Sequence, residues 1–148
     1  YAYTIWQSKM PPVFRRKDVF CCDTLDVAAM QQAAFHLVGE HDFAAFCGKS
    51  NLKKSTVRQI YAIRFVQDEN AVTIHYYGNG FLYLMVRILT GTLIEVGEGK
   101  RSPESVKEVL EGKSRVTAGF TAPPQGLVLH QVYYDKEQLR QAAKGAKT

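Results

Sequence analysis

Residues Phe81 to Val96 read as a helix that is apolar on nearly every side, yet Arg87 stands in the middle of it. A helix with that pattern belongs inside a protein. A guanidinium cannot shed its proton, so an arginine buried there needs a partner, and leaving it bare would cost several kcal/mol. The positions one turn away, Tyr83, Leu84, Thr90 and Gly91, include no acid. The partner is off that turn. It is Glu95, a loop carboxylate or solvent reached by a snorkelling stem, or Arg87 positions a catalytic carboxylate or a phosphate.

The rest of the chain has to enclose this helix. With 148 residues, 46% hydrophobic and 22% charged, the chain fits one globular domain that folds without disulfides or a structural metal. Cys21 and Cys22 are adjacent and Cys47 stands alone, which is neither a disulfide ladder nor a CxxC pair, so a cytoplasmic setting is expected. No run of about 20 apolar residues and no signal-peptide pattern is present, so no membrane association is expected. The chain opens without Met, directly in the alternating Tyr1, Tyr3 and Ile5, as a fragment or processed product of something longer would.

Periodicity outlines the elements. Tyr1 to Ile5 is a short strand, and Val13 to Cys22 an irregular extended passage. Asp23 or Thr24 caps a helix whose stripe is Val27, Met30, Ala34, Leu37 and Val38, closed by Gly39. Glu40 to Phe46 reads as a short turn or helix. Val57 to Val66 and Ala71 to Tyr77 alternate on either side of Asp68-Glu69-Asn70 and read as an antiparallel hairpin, with Arg58 and Arg64 on its open face. Ser102 and Pro103 start a further helix, and Leu127 to Tyr134 is a last strand. Asp135 to Thr148 is a loose helix or a polar basic tail, which leaves residues 1–134 as the domain. The class expected is α+β, a largely antiparallel sheet with helices packed on one face.

Charge is unevenly spread. Of 19 basic and 14 acidic residues, five bases and no acid fall between Lys49 and Arg64: Lys49, Lys53, Lys54, Arg58 and Arg64. Such a stretch attracts a polyanion or is a solvated loop. Gly78-Asn79-Gly80 at a strand-to-helix junction is a plain turn or, at the head of a helix, an anion site. Tyr1 and Tyr3 fill core or stack on a base. The four histidines have no metal-ligand spacing, so no metal is assigned, and neither Cys47 nor its neighbour His41 makes a case for a nucleophile.

These segments, in order, closely resemble the tRNA pseudouridine synthase A family: Leu25-Asp26, Gly39-Glu40-His41-Asp42-Phe43, Lys54-Ser55-Thr56-Val57-Arg58, Gly78-Asn79-Gly80-Phe81-Leu82, Met85-Val86-Arg87, Gly91-Thr92-Leu93, Thr121-Ala122-Pro123 and Gly126-Leu127. The match runs from Tyr1 to about Tyr134. The resemblance implies a pseudouridine synthase-like fold and the C-terminal half of an isomerase that converts uridine to pseudouridine in the tRNA anticodon arm, without cofactor or metal. In that family an aspartate acts on the flipped-out nucleotide, the glycosidic bond breaks, the uracil turns and a carbon–carbon bond forms. By position Tyr1 matches the tyrosine that stacks on the target base, Arg87 the arginine paired with the catalytic aspartate, and Leu127 the leucine under the base.

The family carries its aspartate in a segment of the form Gly-Arg-Thr-Asp-x-Gly-Val-His. None of Asp18, Asp23, Asp26, Asp42, Asp68 and Asp135 has that context. The expected partners are therefore the N-terminal half of the same enzyme, a tRNA and a second copy in a homodimer, and the chain alone is expected to turn nothing over. Lys49, Lys53, Lys54, Arg58 and Asn79 are the expected RNA contacts, on the sheet face away from the helices. Ile88 stands where the family usually has Asn, Tyr83-Leu84 where a His is frequent, and Val128 where Tyr is frequent. A non-catalytic RNA-binding or interaction module is the alternative, with Arg87 in a structural ion pair.

Overall fold

The computed structural model describes residues 1–7, 20–22, 24–49, 54–129, 131–133 and 135–145. Lys53 lies outside the described residues. The sheet is organised around β1 (Ala2–Gln7). One edge of β1 takes β5 (Ala71–Gly78) antiparallel, with Tyr3 opposite Ile74. Its other edge is divided: β6 (Leu127–Val128) runs antiparallel beside Ala2 and Tyr3, and β2 (Phe20–Cys22) runs parallel beside Ile5 to Gln7. Beyond β5 come β4 (Val57–Gln67) and β3 (Gly39–Asp42), both antiparallel.

The β4–β5 hairpin forms where alternation places it, closed by Asp68 N–H on the Ala71 carbonyl at 2.9 Å. Period two sends Ile63, Phe65, Val72, Ile74, Tyr3 and Ile5 to one face, where they join one buried cluster with the helices. The helix α1 (Val27–Phe35) lies there, its start capped by Asp26, whose Oδ1 accepts the Ala29 N–H at 3.1 Å. That cap contributes about 1 kcal/mol. It ends at His36, three residues short of Gly39.

The structure differs from the periodicity in three further places, and of the two readings of the C-terminal stretch it shows the helix. Gly39 to Asp42 is an edge strand rather than a turn, held by pairing with Val57 to Ile60 and not by any strand propensity of its own. The central helix, α2 (Met85–Gly97), starts four residues later than the apolar run, because Phe81 to Leu84 form a loop that ends with Leu84 at φ 59°. Only Leu127 and Val128 of the last stretch pair as a strand. The C-terminal stretch forms α4 (Lys136–Gly145), and Arg64 donates from Nη2 to the Ala143 carbonyl at 3.1 Å. α4 contacts β4 and β5 on the sheet face away from α1 and α2, with Leu139 and Ala143 buried. Arg64 is thus under a helix rather than on an open face. The α+β class and the largely antiparallel sheet hold.

α2 is buried along almost its whole length, and its two threonines are hydrogen-bonded. Thr90 and Thr92 return their hydroxyls to the carbonyls of Val86 and Ile88 at 2.7 and 2.8 Å, and Tyr76 meets the Thr90 hydroxyl at 2.7 Å. The short helix α3 (Ser105–Gly112) adds Val106, Val109 and Leu110 to the core.

The closest approach in the fold is at Gly91. A Cβ there would stand 1.7 Å from the Phe120 carbonyl oxygen. Gly91→Ala is therefore expected to cost about 3 kcal/mol or more in urea unfolding. Gly112→Ala, where nothing lies within 4 Å, is expected to add about 0.5 to 1 kcal/mol by restricting the unfolded chain.

Candidate functional site

The segment from Ala118 to Leu127 crosses α2 and is fastened to it residue by residue. Gly119 N–H donates to Thr92 Oγ1 at 2.9 Å, Phe120 N–H to Glu95 Oε2 at 2.9 Å and Ala122 N–H to the Arg87 carbonyl at 3.0 Å. Arg115 adds bonds to the Gly119 carbonyl and Thr121 Oγ1 at 2.9 and 3.1 Å. The Tyr3 hydroxyl donates to the Pro123 carbonyl at 2.5 Å. Each bond replaces one that water would make, so the loop is held in a single path.

That path decides where Arg87 points. Its Nε–H donates to the Ala122 carbonyl at 2.7 Å, which fixes the guanidinium plane. Glu95 is not the counter-ion, since its carboxylate takes the Phe120 N–H and stands 3.4 Å from Arg101. Among the described residues no carboxylate lies within 4.0 Å of the Arg87 guanidinium. Arg87 is half-buried, and among the described residues no acid neutralises it.

The guanidinium lines a cavity of about 220 Å³ together with Tyr1, Phe81, Leu82, Leu84, Met85, Val86, Pro124 and Leu127. The structure thus brings Tyr1, Arg87 and Leu127 to one place from three separate elements. Tyr1 meets Phe81 edge to face, with ring centroids 5.4 Å apart and planes at 86°. Leu127 is placed by the pairing of β6 with Tyr3. Leu84, in the left-handed region, closes the wall at a cost of order 1 kcal/mol in backbone strain.

The basic residues are arranged differently. Lys49 holds its Nζ 4.5 Å from the centre of the exposed Tyr83 ring, and Lys54 is exposed. Arg58 donates to the carbonyls of Ser55 and Val57, both at 2.7 Å, which holds it near its own strand. Asn79 ties its turn to β4, with its Oδ1 accepting the Gln59 N–H at 2.9 Å and its N–H reaching the Gln59 carbonyl at 3.0 Å. Because α2 starts at Met85, the Gly78-Asn79-Gly80 turn is not at a helix head. Of the residues that depart from the family pattern, Ile88 is fully buried, Tyr83 and Val128 are exposed, and Leu84 lines the cavity.

Periodicity has no means of finding the Ala122 carbonyl or the Phe81 wall. The first is a backbone atom, and the second faces the cavity only because the helix begins late. The Thr121-Ala122-Pro123 and Gly80-Phe81 segments are the signals that the residues offer.

The domain is α+β, and its Arg87, oriented by the Ala122 carbonyl and without an acidic partner among the described residues, lines an aromatic and aliphatic cavity. A family profile described as tRNA pseudouridine synthase matches residues 33–135, and the chain belongs to that family. It is 44% identical over 135 residues to tRNA pseudouridine synthase A of Geotalea uraniireducens (strain Rf4), covering 90% of this chain and 55% of that protein. With tRNA pseudouridine synthase A of Bacillus subtilis (strain 168) it shares 43% over 136 residues, covering 91% and 55%. The chain spans about half the length of these curated relatives, corresponding to their C-terminal half. Among the described residues no helix is long and apolar enough to cross a membrane.

Two phenols beneath the site make stability depend on alkali. Burial raises Tyr3 and Tyr76 well above the ordinary value near 10, with Arg87 pulling Tyr3 and Thr90 pulling Tyr76 partway back. The unfolded chain ionises these groups first and so binds fewer protons than the native one. Stability is full below about pH 10 and falls above it by about 1.4 kcal/mol per pH unit for each tyrosine. Tyr76→Phe should cost about 1 kcal/mol at pH 7 and remove one group's share of the alkaline slope, read from urea midpoints at pH 9 to 11.

Proposed function

We propose that this chain is the base-holding half of an enzyme that isomerises uridine to pseudouridine in the anticodon stem-loop of tRNA. One observation carries the reading: Tyr1, Leu127 and Arg87, which has no acidic partner among the described residues, share one cavity. Extruding a base costs a few kcal/mol. An aromatic ring to stack on and an apolar floor offset that cost, and Tyr1 and Leu127 supply them. The Ala122 carbonyl occupies Nε of Arg87 and leaves both Nη groups as a fork suited to a carboxylate.

The carboxylate is the catalytic aspartate of the N-terminal half, the part of the relatives that this chain does not span. With the fork holding it against the nucleotide, the N1–C1′ bond breaks, the uracil turns, C5 bonds to C1′ and gives up its hydrogen as a proton, and N1 takes up a proton. Nothing is gained or lost overall, which is an isomerisation and asks no cofactor. The family resemblance further supports a homodimer and a cytoplasmic location. Lys49, Lys53, Lys54 and Arg58 hold phosphates as the arm docks.

Release of tritium from a transcript labelled at uridine C5 tests this. The chain alone should release none, and the chain joined to a relative's N-terminal half carrying the Gly-Arg-Thr-Asp segment should release it. Arg87→Ala in the joined protein should lower kcat/KM roughly 100-fold or more. Turnover by the isolated chain, or a full rate in Arg87→Ala, would defeat the reading. For binding, Lys49→Ala plus Lys54→Ala should flatten the log–log salt slope by roughly two units, measured by titrating the joined protein with an anticodon-arm RNA. An unchanged slope would remove those lysines from the interface.

A further inference from the structure

The Tyr1–Phe81 pair is a wall with two sides. A second cavity, of about 200 Å³, shares Tyr1 and Phe81 with the first but not Arg87, and is lined as well by His75, Tyr77, Asn79 and Gly80 at the end of β5. The C-terminal segment closes it with Leu129, Gln131, Val132, Tyr133 and Leu139. Leu139 comes from α4, so the helix that covers Arg64 also forms the back of this cavity.

The chemistry of the lining selects among ligands. Among the described residues no Asp, Glu, Lys or Arg lines it, so a phosphate or an ammonium group would find no counter-charge. Four tyrosines, a phenylalanine and a histidine line it. Two carboxamides point to a planar acceptor. The Asn79 oxygen is held by Gln59 N–H and the Gln131 oxygen by the Tyr133 hydroxyl at 3.2 Å, which leaves the amino group of each as a donor. Flat, neutral and rich in acceptors is the description of a nucleobase.

We propose that this cavity receives the base of the nucleotide adjacent to the target uridine, so that two consecutive bases straddle the Tyr1–Phe81 wall. The inference rests on the reading of the Arg87 cavity as the target-base site and adds a substrate requirement to it. A uridine whose neighbour stays stacked or paired is a poor target even when the uridine itself can be extruded. Two consecutive bases suit the arrangement, because Tyr1 and Phe81 line both cavities.

The test uses single-stranded five-nucleotide RNAs with a central uridine and a fluorescent label, read by anisotropy. One of the two neighbours is made abasic in turn. Loss of the base on one side should weaken binding to the wild-type chain about tenfold, the lower part of the range for one stacked base. Equal affinity for all three RNAs overturns the proposal. Val132→Trp, at the half-exposed mouth, should bring the contrast between base and abasic neighbour to within twofold while leaving the affinity for uridine monophosphate unchanged. A contrast that survives this filling overturns the proposal as well, since the neighbour would then sit elsewhere. Leu127→Ala, which lines the Arg87 cavity and not the second one, separates the two readings: uridine monophosphate binding that ignores it counts against the Arg87 cavity as the target-base site, whereas the abasic contrast reports on the second cavity alone.

Discussion

Two hydrogen bonds running in opposite directions between Arg87 and Ala122 hold the site together. The loop amide donates to the helix carbonyl, and the arginine side chain donates back to the loop carbonyl. They form because α2 sets aside one stripe for this loop. Arg87, Gly91 and Glu95, spaced by four, lie on one line along the helix, and each meets a neighbouring part of the segment 119–122. Gly91 lets the backbone come into contact, and Glu95 takes the amide of Phe120. A helix packed by side chains alone could not bring a backbone carbonyl to the Nε of an arginine.

The consequence is electrostatic. A half-buried guanidinium that has no ionic bond among the described residues has lost hydration without regaining one there, and a structural arginine would normally be paired. Glu95, the nearest acid along the helix, is committed to Arg101 and to the loop. The chain therefore presents an oriented cation lining a largely apolar cavity, an arrangement that gains stability when a carboxylate arrives. The proposed aspartate would be drawn into this site by the same imbalance that lowers its affinity for protons.

Much of this was legible in the residues. The hairpin of β4 and β5 follows from strict alternation, and the arginine in an apolar helix is visible by inspection. Less legible was anything set by pairing across distance. Gly39-Glu40-His41-Asp42 has no strand propensity and becomes a strand because β4 offers it an edge. Arg64 looks like an open-face cation in an alternating strand, yet Leu139 and Ala143 give a mostly polar helix just enough apolar surface to settle over it. The family resemblance named Tyr1, Arg87 and Leu127 as site residues. What it lacked was the backbone carbonyl that aims the arginine, since a carbonyl has no letter in a sequence.

The late start of α2 shows why the difference between a periodic pattern and a helix matters for the site. Had the helix begun at Phe81, the first turn would have pointed Phe81 and Leu84 along the same face toward the core, and Tyr1 would have had no ring to meet. Instead Leu84 adopts a left-handed conformation, and the chain from Phe81 to Leu84 folds outward around the cavity. Phe81 then lies over Gly78, where a Cβ would come within 3.0 Å of its ring. A strained leucine and a bare glycine thus act on one phenylalanine from opposite ends. Together they convert what would have been a turn of helix into the wall between two cavities.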